Sequence, residues 1–287
     1  MKKRNDSKIT MAALMMMAAM AMTSCASSKK INGDSNVSKD SEMGKNEEDL
    51  DNSYLVLSDT QQDIVKKNNA FALRLFNKVT DMESKVISPM SVSYLMGMLA
   101  NGADGITQQE ILKAIGCEGV SVSDLNELYK AMLLNANHQD KQTTVNIANY
   151  IAVNKNFKLN KNFSQQVSDS YQAGIESLDF TSSKSTDRIN GWCKEKTNGM
   201  IPRIIDQVSA DAVSYLMNAI YFKGIWQNKF NAKDTKQENF RGYTRDIQKV
   251  EMMHQVKKLF YAENKDFKAV DLPYGNGSYR MLVLLPN

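Results

Sequence analysis

The sequence predicts an α+β fold. Three observations carry that reading. Apolar residues recur at helical spacing from Ile64 to Leu133, the period drops to two over Val145–Val153, and from there helices and strands arrive in blocks rather than in strict alternation. With 287 residues, 42% of them apolar, the chain can bury a substantial core. A charged fraction of 24% beside that apolar content excludes a wholly disordered chain, and 14 Gly with 4 Pro exclude a collagen-like one.

The N-terminus is set aside first because it distorts the composition. The formal net charge is +4, yet Lys2, Lys3, Arg4 and Lys8 against Asp6 account for +3 of it within residues 1–24. The remainder is balanced, without the basic stripe a nucleic acid requires, so no nucleic-acid partner is expected. Lys2 to Arg4 form a positive n-region, and the uncharged run of 14 residues from Ile9 to Met22 has the length of a signal h-region rather than of a membrane span. Met22-Thr23-Ser24-Cys25 resembles a bacterial lipobox, with Met22 where the pattern prefers Leu. The resemblance implies cleavage before Cys25, acylation of its thiol, and an extracytoplasmic, cell-envelope lipoprotein, periplasmic or on the cell surface. From residue 25 to 58 the chain is mostly Ser, Asn, Asp, Lys and Glu, including Glu47-Glu48-Asp49, and reads as a polar tether. The expected organisation is therefore a signal at 1–24, a tether at 25–58 and a folded domain at 59–287. Cys117 and Cys193 form no C-x-x-C and no zinc spacing, so both are expected to be buried, with no metal or cofactor.

Within the domain the elements follow in order. Asp63 to Val79 carries Ile64, Phe71, Ala72, Leu75, Phe76 and Val79 on one helical stripe. Lys85-Val86-Ile87 reads as a short strand. Ser88-Pro89 opens a helix, Ser88 as cap and Pro89 in the first turn, and Met90, Val92, Leu95, Met96, Met98 and Leu99 make it apolar almost all round. Thr107 and Glu110 have capping-box spacing ahead of Ile111, Leu112 and Ile115, and Gly116 ends that helix. Asp124 to Asn135 offers another stripe. Val145, Ile147, Asn149, Ile151 and Val153 alternate with Asn146, Ala148, Tyr150 and Ala152, a strand signal. A helix through Phe163, Val167 and Tyr171, a strand at Ile175–Leu178, and a helix around Ile189, Trp192 and Cys193 that stops at Asn198-Gly199 come next. Ala212 to Phe222 is apolar on both faces except for Ser214 and Asn218, and reads as a central, doubly covered strand. Two more strands, Lys268–Leu272 and Tyr279–Leu285, flank a turn at Gly275-Asn276-Gly277. Asn218 is the informative polar residue: a carboxamide in a covered strand is costly unless paired.

No G-x-S-x-G, Walker loop or H-E-x-x-H occurs, and His138 and His254 sit among polar neighbours, so no enzyme activity is expected. The motifs point elsewhere. Val86-Ile87-Ser88-Pro89-Met90-Ser91-Val92-Ser93 with Gly102-Ala103 and Thr107, then Asn190-Gly191-Trp192 with Thr197 and Gly199, and above all Asn218-Ala219-Ile220-Tyr221-Phe222-Lys223-Gly224-Ile225-Trp226 with Phe230, Thr235 and Phe240, resemble the serpin family. Val250-Glu251-Met252-Met253 and Leu272-Pro273-Tyr274 continue the series in order. The resemblance implies three β-sheets wrapped by helices and inhibition of a serine, sometimes a cysteine, protease, whose cut in an exposed loop is followed by insertion of that loop as a new strand. It implies that Ser88, Ser91 and Asn218 belong to the family's shutter, where the central sheet parts, and Trp226 to the breach, where the loop first enters. Family members continue past the strand that here ends at Leu285-Pro286-Asn287, so the reactive loop and its scissile bond are expected to lie outside this chain, which is read as a partial domain. The rival reading is a non-inhibitory serpin-like lipoprotein that binds at the surface.

Overall fold

Four helices precede the first strand, and the caps explain where each begins. In the computed structural model, which describes residues 55–81, 83–242 and 246–287, these are α1 (Asp59–Val79), α2 (Pro89–Asn101), α3 (Gly105–Ala114) and α4 (Val122–Asn135). Ser58 and Gln61 form a reciprocal capping box at α1, and Ser88 and Ser121 cap α2 and α4. There follow β1 (Thr143–Asn154), α5 (Lys161–Tyr171), β2 (Gly174–Leu178), α6 (Ser183–Lys196) and β3 (Ser214–Gly224). The remaining elements are the strands β4 (Lys236–Arg241), β5 (Ile247–Met252), β6 (Phe260–Glu263), β7 (Phe267–Tyr274) and β8 (Tyr279–Pro286), after one short 3₁₀ turn. The signal, Cys25 and the tether up to residue 54 lie outside the described residues. Leu57, just before α1, is already buried in the core. Among the described residues, no helix is long and apolar enough to cross a membrane.

The strands form three sheets, ordered β2-β1-β3, β4-β5 and β6-β7-β8. In the first, β1 runs parallel to β2 and antiparallel to β3, with Thr143 opposite Gly224 and Asn149 opposite Asn218. Helices α1, α2, α4 and α5 pack on one face of β1 around the contacting rings of Tyr94, Tyr129 and Tyr171. That packing is close enough to require Gly97, where a Cβ would stand 2.5 Å from the Tyr171 hydroxyl. Helix α6 covers the other face, with Trp192 stacked on Tyr150 at 5.1 Å between ring centroids. Cys117 and Cys193 are free thiols in these cores, and burial pushes the Cys117 thiol up to about 11.

Three expectations are corrected. β3 is covered on both faces as expected, Leu216 by the helices on one side and Met217 and Ala219 by α6 on the other, but among the described residues the centre of the sheet is β1, which is buried without interruption from Asn149 to Asn154. Along β1, Ala148, Tyr150 and Ala152 lie under α6. Helix α3 starts at Gly105, because the Asp104 carboxylate accepts from the Gly105 N–H at 2.7 Å, and Thr107 falls within the first turn rather than at the cap. Its end is as expected: Gly116, at φ +77, closes a Schellman motif with bonds from Gly116 N to Lys113 O and from Cys117 N to Leu112 O. Lys85–Ile87 pair with no strand among the described residues, and Val86 is 65% exposed. Strands β4, β5 and β6 carry mostly exposed side chains, so no apolar pattern marked them.

Candidate functional site

The residues singled out fall into three groups. Ser88 is the N-cap of α2. Its Oγ accepts from the Ser91 N–H at 3.2 Å and lies 2.9 Å from the Ser91 Oγ, so the two serines form one half-buried polar pair at the start of a buried helix.

Asn218 lies at the centre of β3, a strand that α2 packs against, and its hydrogen-bond partner is a residue that no motif named. Its Nδ2 donates to Oδ1 of Asn149 at 2.8 Å, directly across the β1–β3 pair. Asn149 in turn donates through Nδ2 to the Tyr171 carbonyl at 2.7 Å, where α5 ends. The Tyr171 hydroxyl then donates to Asn126 Oδ1 at 2.7 Å, and Asn126 is bonded to Asn101 through both carboxamides. Burial pushes the Tyr171 and Tyr129 hydroxyls far above the usual tyrosine range, so both remain protonated donors. A chain of neutral hydrogen bonds thus runs from β3 through β1 into α5, α4 and α2. One acceptor is left over: Asn218 Oδ1 is buried and unpartnered. Asn149 carries the same signal as Asn218, a carboxamide in the apolar phase of a strand.

Trp226 lies just past the end of β3. Its indole stacks on Tyr274 at 4.2 Å with 12° between the planes, and Phe230 meets it edge-on at 6.1 Å. A single bridge pairs Trp226 with Tyr274, and Gly224 is small because a Cβ there would meet the Tyr274 ring at 2.7 Å. The stack joins the first sheet to β7. His138 and His254 are both exposed, and His254 Nε2 lies 3.0 Å from Glu238 Oε1. Among the described residues, neither belongs to a nucleophile–base arrangement. Each neutral bond in the chain that runs from Asn218 to Asn101 contributes about 0.5–1.5 kcal/mol net.

The serpin family model, described as serine protease inhibitor, matches residues 66–287. This chain belongs to the serpin family. It is 33% identical over 229 residues to the leukocyte elastase inhibitor of Bos taurus, covering 77% of this chain and 60% of that one. It is 30% identical over 218 residues to serine protease inhibitor 42Dd of Drosophila melanogaster, covering 74% and 59%. Among solved structures it matches the thermophilic serpin tengpin in its latent state with TM-score 0.72 at 31% identity, over 81% of this chain and 62% of that one. The native state of tengpin gives the same TM-score over 59% of its length. The chain thus spans about 60% of the length of the curated relatives it matches. The serpin fold of helices around three sheets, expected from the motifs, is the fold observed.

Proposed function

We propose that this chain is the larger part of a serpin that inhibits a serine-type protease by loop cleavage and strand insertion. The protease's serine oxygen bonds to the scissile carbonyl, the peptide C–N bond breaks, and the serine proton leaves with the amine. The acyl ester persists because the freed loop inserts beside β3 before water can hydrolyse it. The observation that carries the reading is β3 itself. One edge pairs with β1 over eleven positions, and Asn218 at its centre holds a buried acceptor that β1 does not satisfy. The inhibitory name of the bovine relative supports the same reading. The segment that a protease would cut is assigned to the part of the relatives' length that this chain does not span. On this reading Ser88, Ser91 and Asn218 act where the sheet parts and Trp226 where the loop enters. Cys25 carries the acyl anchor that holds the inhibitor to a membrane outside the cytoplasm.

The test is covalency. A protein extended through the remaining family length is incubated with trypsin-like, chymotrypsin-like and elastase-like proteases and run on a denaturing gel. The expected result is a complex with one of them that survives denaturation. Cleavage by all three without any complex would overturn the inhibitory reading in favour of a surface binding protein.

A further inference from the structure

The turn at residues 275–278, between β7 and β8, grips two other parts of the molecule at once. On one side Asn276 Nδ2 and Ser278 Oγ both donate to the Gln139 carbonyl, at 2.7 and 3.0 Å, and the Tyr279 hydroxyl donates to the Ala136 carbonyl at 2.6 Å. Ala136 and Gln139 lie on the segment that leads from α4 into β1. The next residue, Asp140, is buried, and its carboxylate accepts from the Thr143 hydroxyl at 2.6 Å and from the Gln142 N–H at 2.9 Å, which fixes the first residue of β1. Gly275, at φ +42, packs so closely on that carboxylate that no Cβ would fit. On the other side the Gly275 N–H donates to the Ile225 carbonyl at 2.8 Å, and Gln227 N–H donates to the Pro273 carbonyl at 3.0 Å. These bonds hold the residues immediately after β3.

The two attachments meet at one place. Thr143 opens β1, Gly224 closes β3, and the two are register partners. We propose that the β7–β8 turn is the anchor of the β1–β3 pair, with Asn276, Ser278 and Tyr279 as positioning residues that fix its Thr143/Gly224 end. The pairing runs over eleven positions, so a strand that enters beside β3 by shifting that pair would work against this fixed end. That last step rests on the inhibitory reading; the anchoring does not.

The experiment is native-state hydrogen exchange on the Asn276→Ala/Ser278→Ala double variant, which removes both side-chain donors to the Gln139 carbonyl. Amides at 143–145 and 222–225 are expected to exchange about tenfold faster, while α1 and α6 keep their wild-type rates. Tyr279→Phe, a milder change, is expected to act in the same direction. Unchanged exchange at those amides would overturn the anchor, and so would an equal rise in α1 and α6, since the bonds would then add only to global stability. A comparison variant, Asn160→Ala, removes the cap of α5 away from the turn and is expected to leave these amides alone; an equal rise there also overturns it. Because exchange needs no protease, this result is separate from the covalent-complex test. If the extended protein does trap a protease, the double variant is expected to convert to the inserted form about tenfold faster on warming. An unchanged conversion rate would overturn the link to strand entry.

Discussion

Replacing Asn149 with Leu tests the carboxamide chain at its middle. The substitution keeps the volume nearly constant but removes the acceptor of the Asn218 Nδ2 and the donor to the Tyr171 carbonyl. Asn149 is 3% exposed, so water cannot replace either partner. Two buried polar groups are left unmade, at about 1–3 kcal/mol each, for a total loss of about 2–6 kcal/mol. Asn218→Leu behaves differently. It orphans Asn149 Oδ1, at about 1–3 kcal/mol, but also removes the unpartnered Asn218 Oδ1, a relief of similar size. The net effect on equilibrium stability is expected within about 1 kcal/mol of zero. The double variant leaves only the Tyr171 carbonyl unmade and is expected to be more stable than Asn149→Leu alone, by about 1–3 kcal/mol. Urea unfolding followed by circular dichroism reads all three through the midpoint, with the slope checked for constancy. Asn149→Leu costing less than 1 kcal/mol, or Asn218→Leu costing as much as Asn149→Leu, would refute the reasoning.

Two further outcomes are expected. Asp179 receives hydrogen bonds from Lys155 Nζ at 2.8 Å and from the Thr181 hydroxyl and N–H, which hold its carboxyl down to about 2. A depressed folded-state value favours the charged form, so this contribution is present above about pH 4 and is lost as the pH falls towards 2; Asp179→Asn is expected to flatten the unfolding midpoint over that window, and an unaltered pH profile would count against it. For the anchor at the N-terminus, cells carrying Cys25→Ser are expected to release the protein from the membrane fraction, and retention as firm as wild type would remove the lipoprotein proposal.

The sequence by itself determined the class, the order of the main elements and the family. Caps and breakers did most of this, since they act within a few residues: Ser88 before Pro89, Gly116 at the end of α3 and Gly199 after α6 can each be read locally. Helical stripes were legible for the same reason, because one element's own period reports which face is covered. The polar residue Asn218 was legible as an exception to an apolar run. Its partner was not. Asn149 stands opposite it only because β1 and β3 pair in one particular register, and register between strands so distant in sequence is fixed by packing against α5 and α6, not by local pattern. The same holds for burial. An apolar strand can lie at a flank and an alternating one at the centre, since burial is decided by what covers each face: α6 lies over Tyr150 and Ala152, and the four helices over Ile151 and Val153. The Trp226–Tyr274 stack and the grip of the 275–278 turn on Gln139 likewise join segments that meet only when the sheets assemble. Tertiary structure alone decided those contacts, because each depends on where a second, remote segment is held.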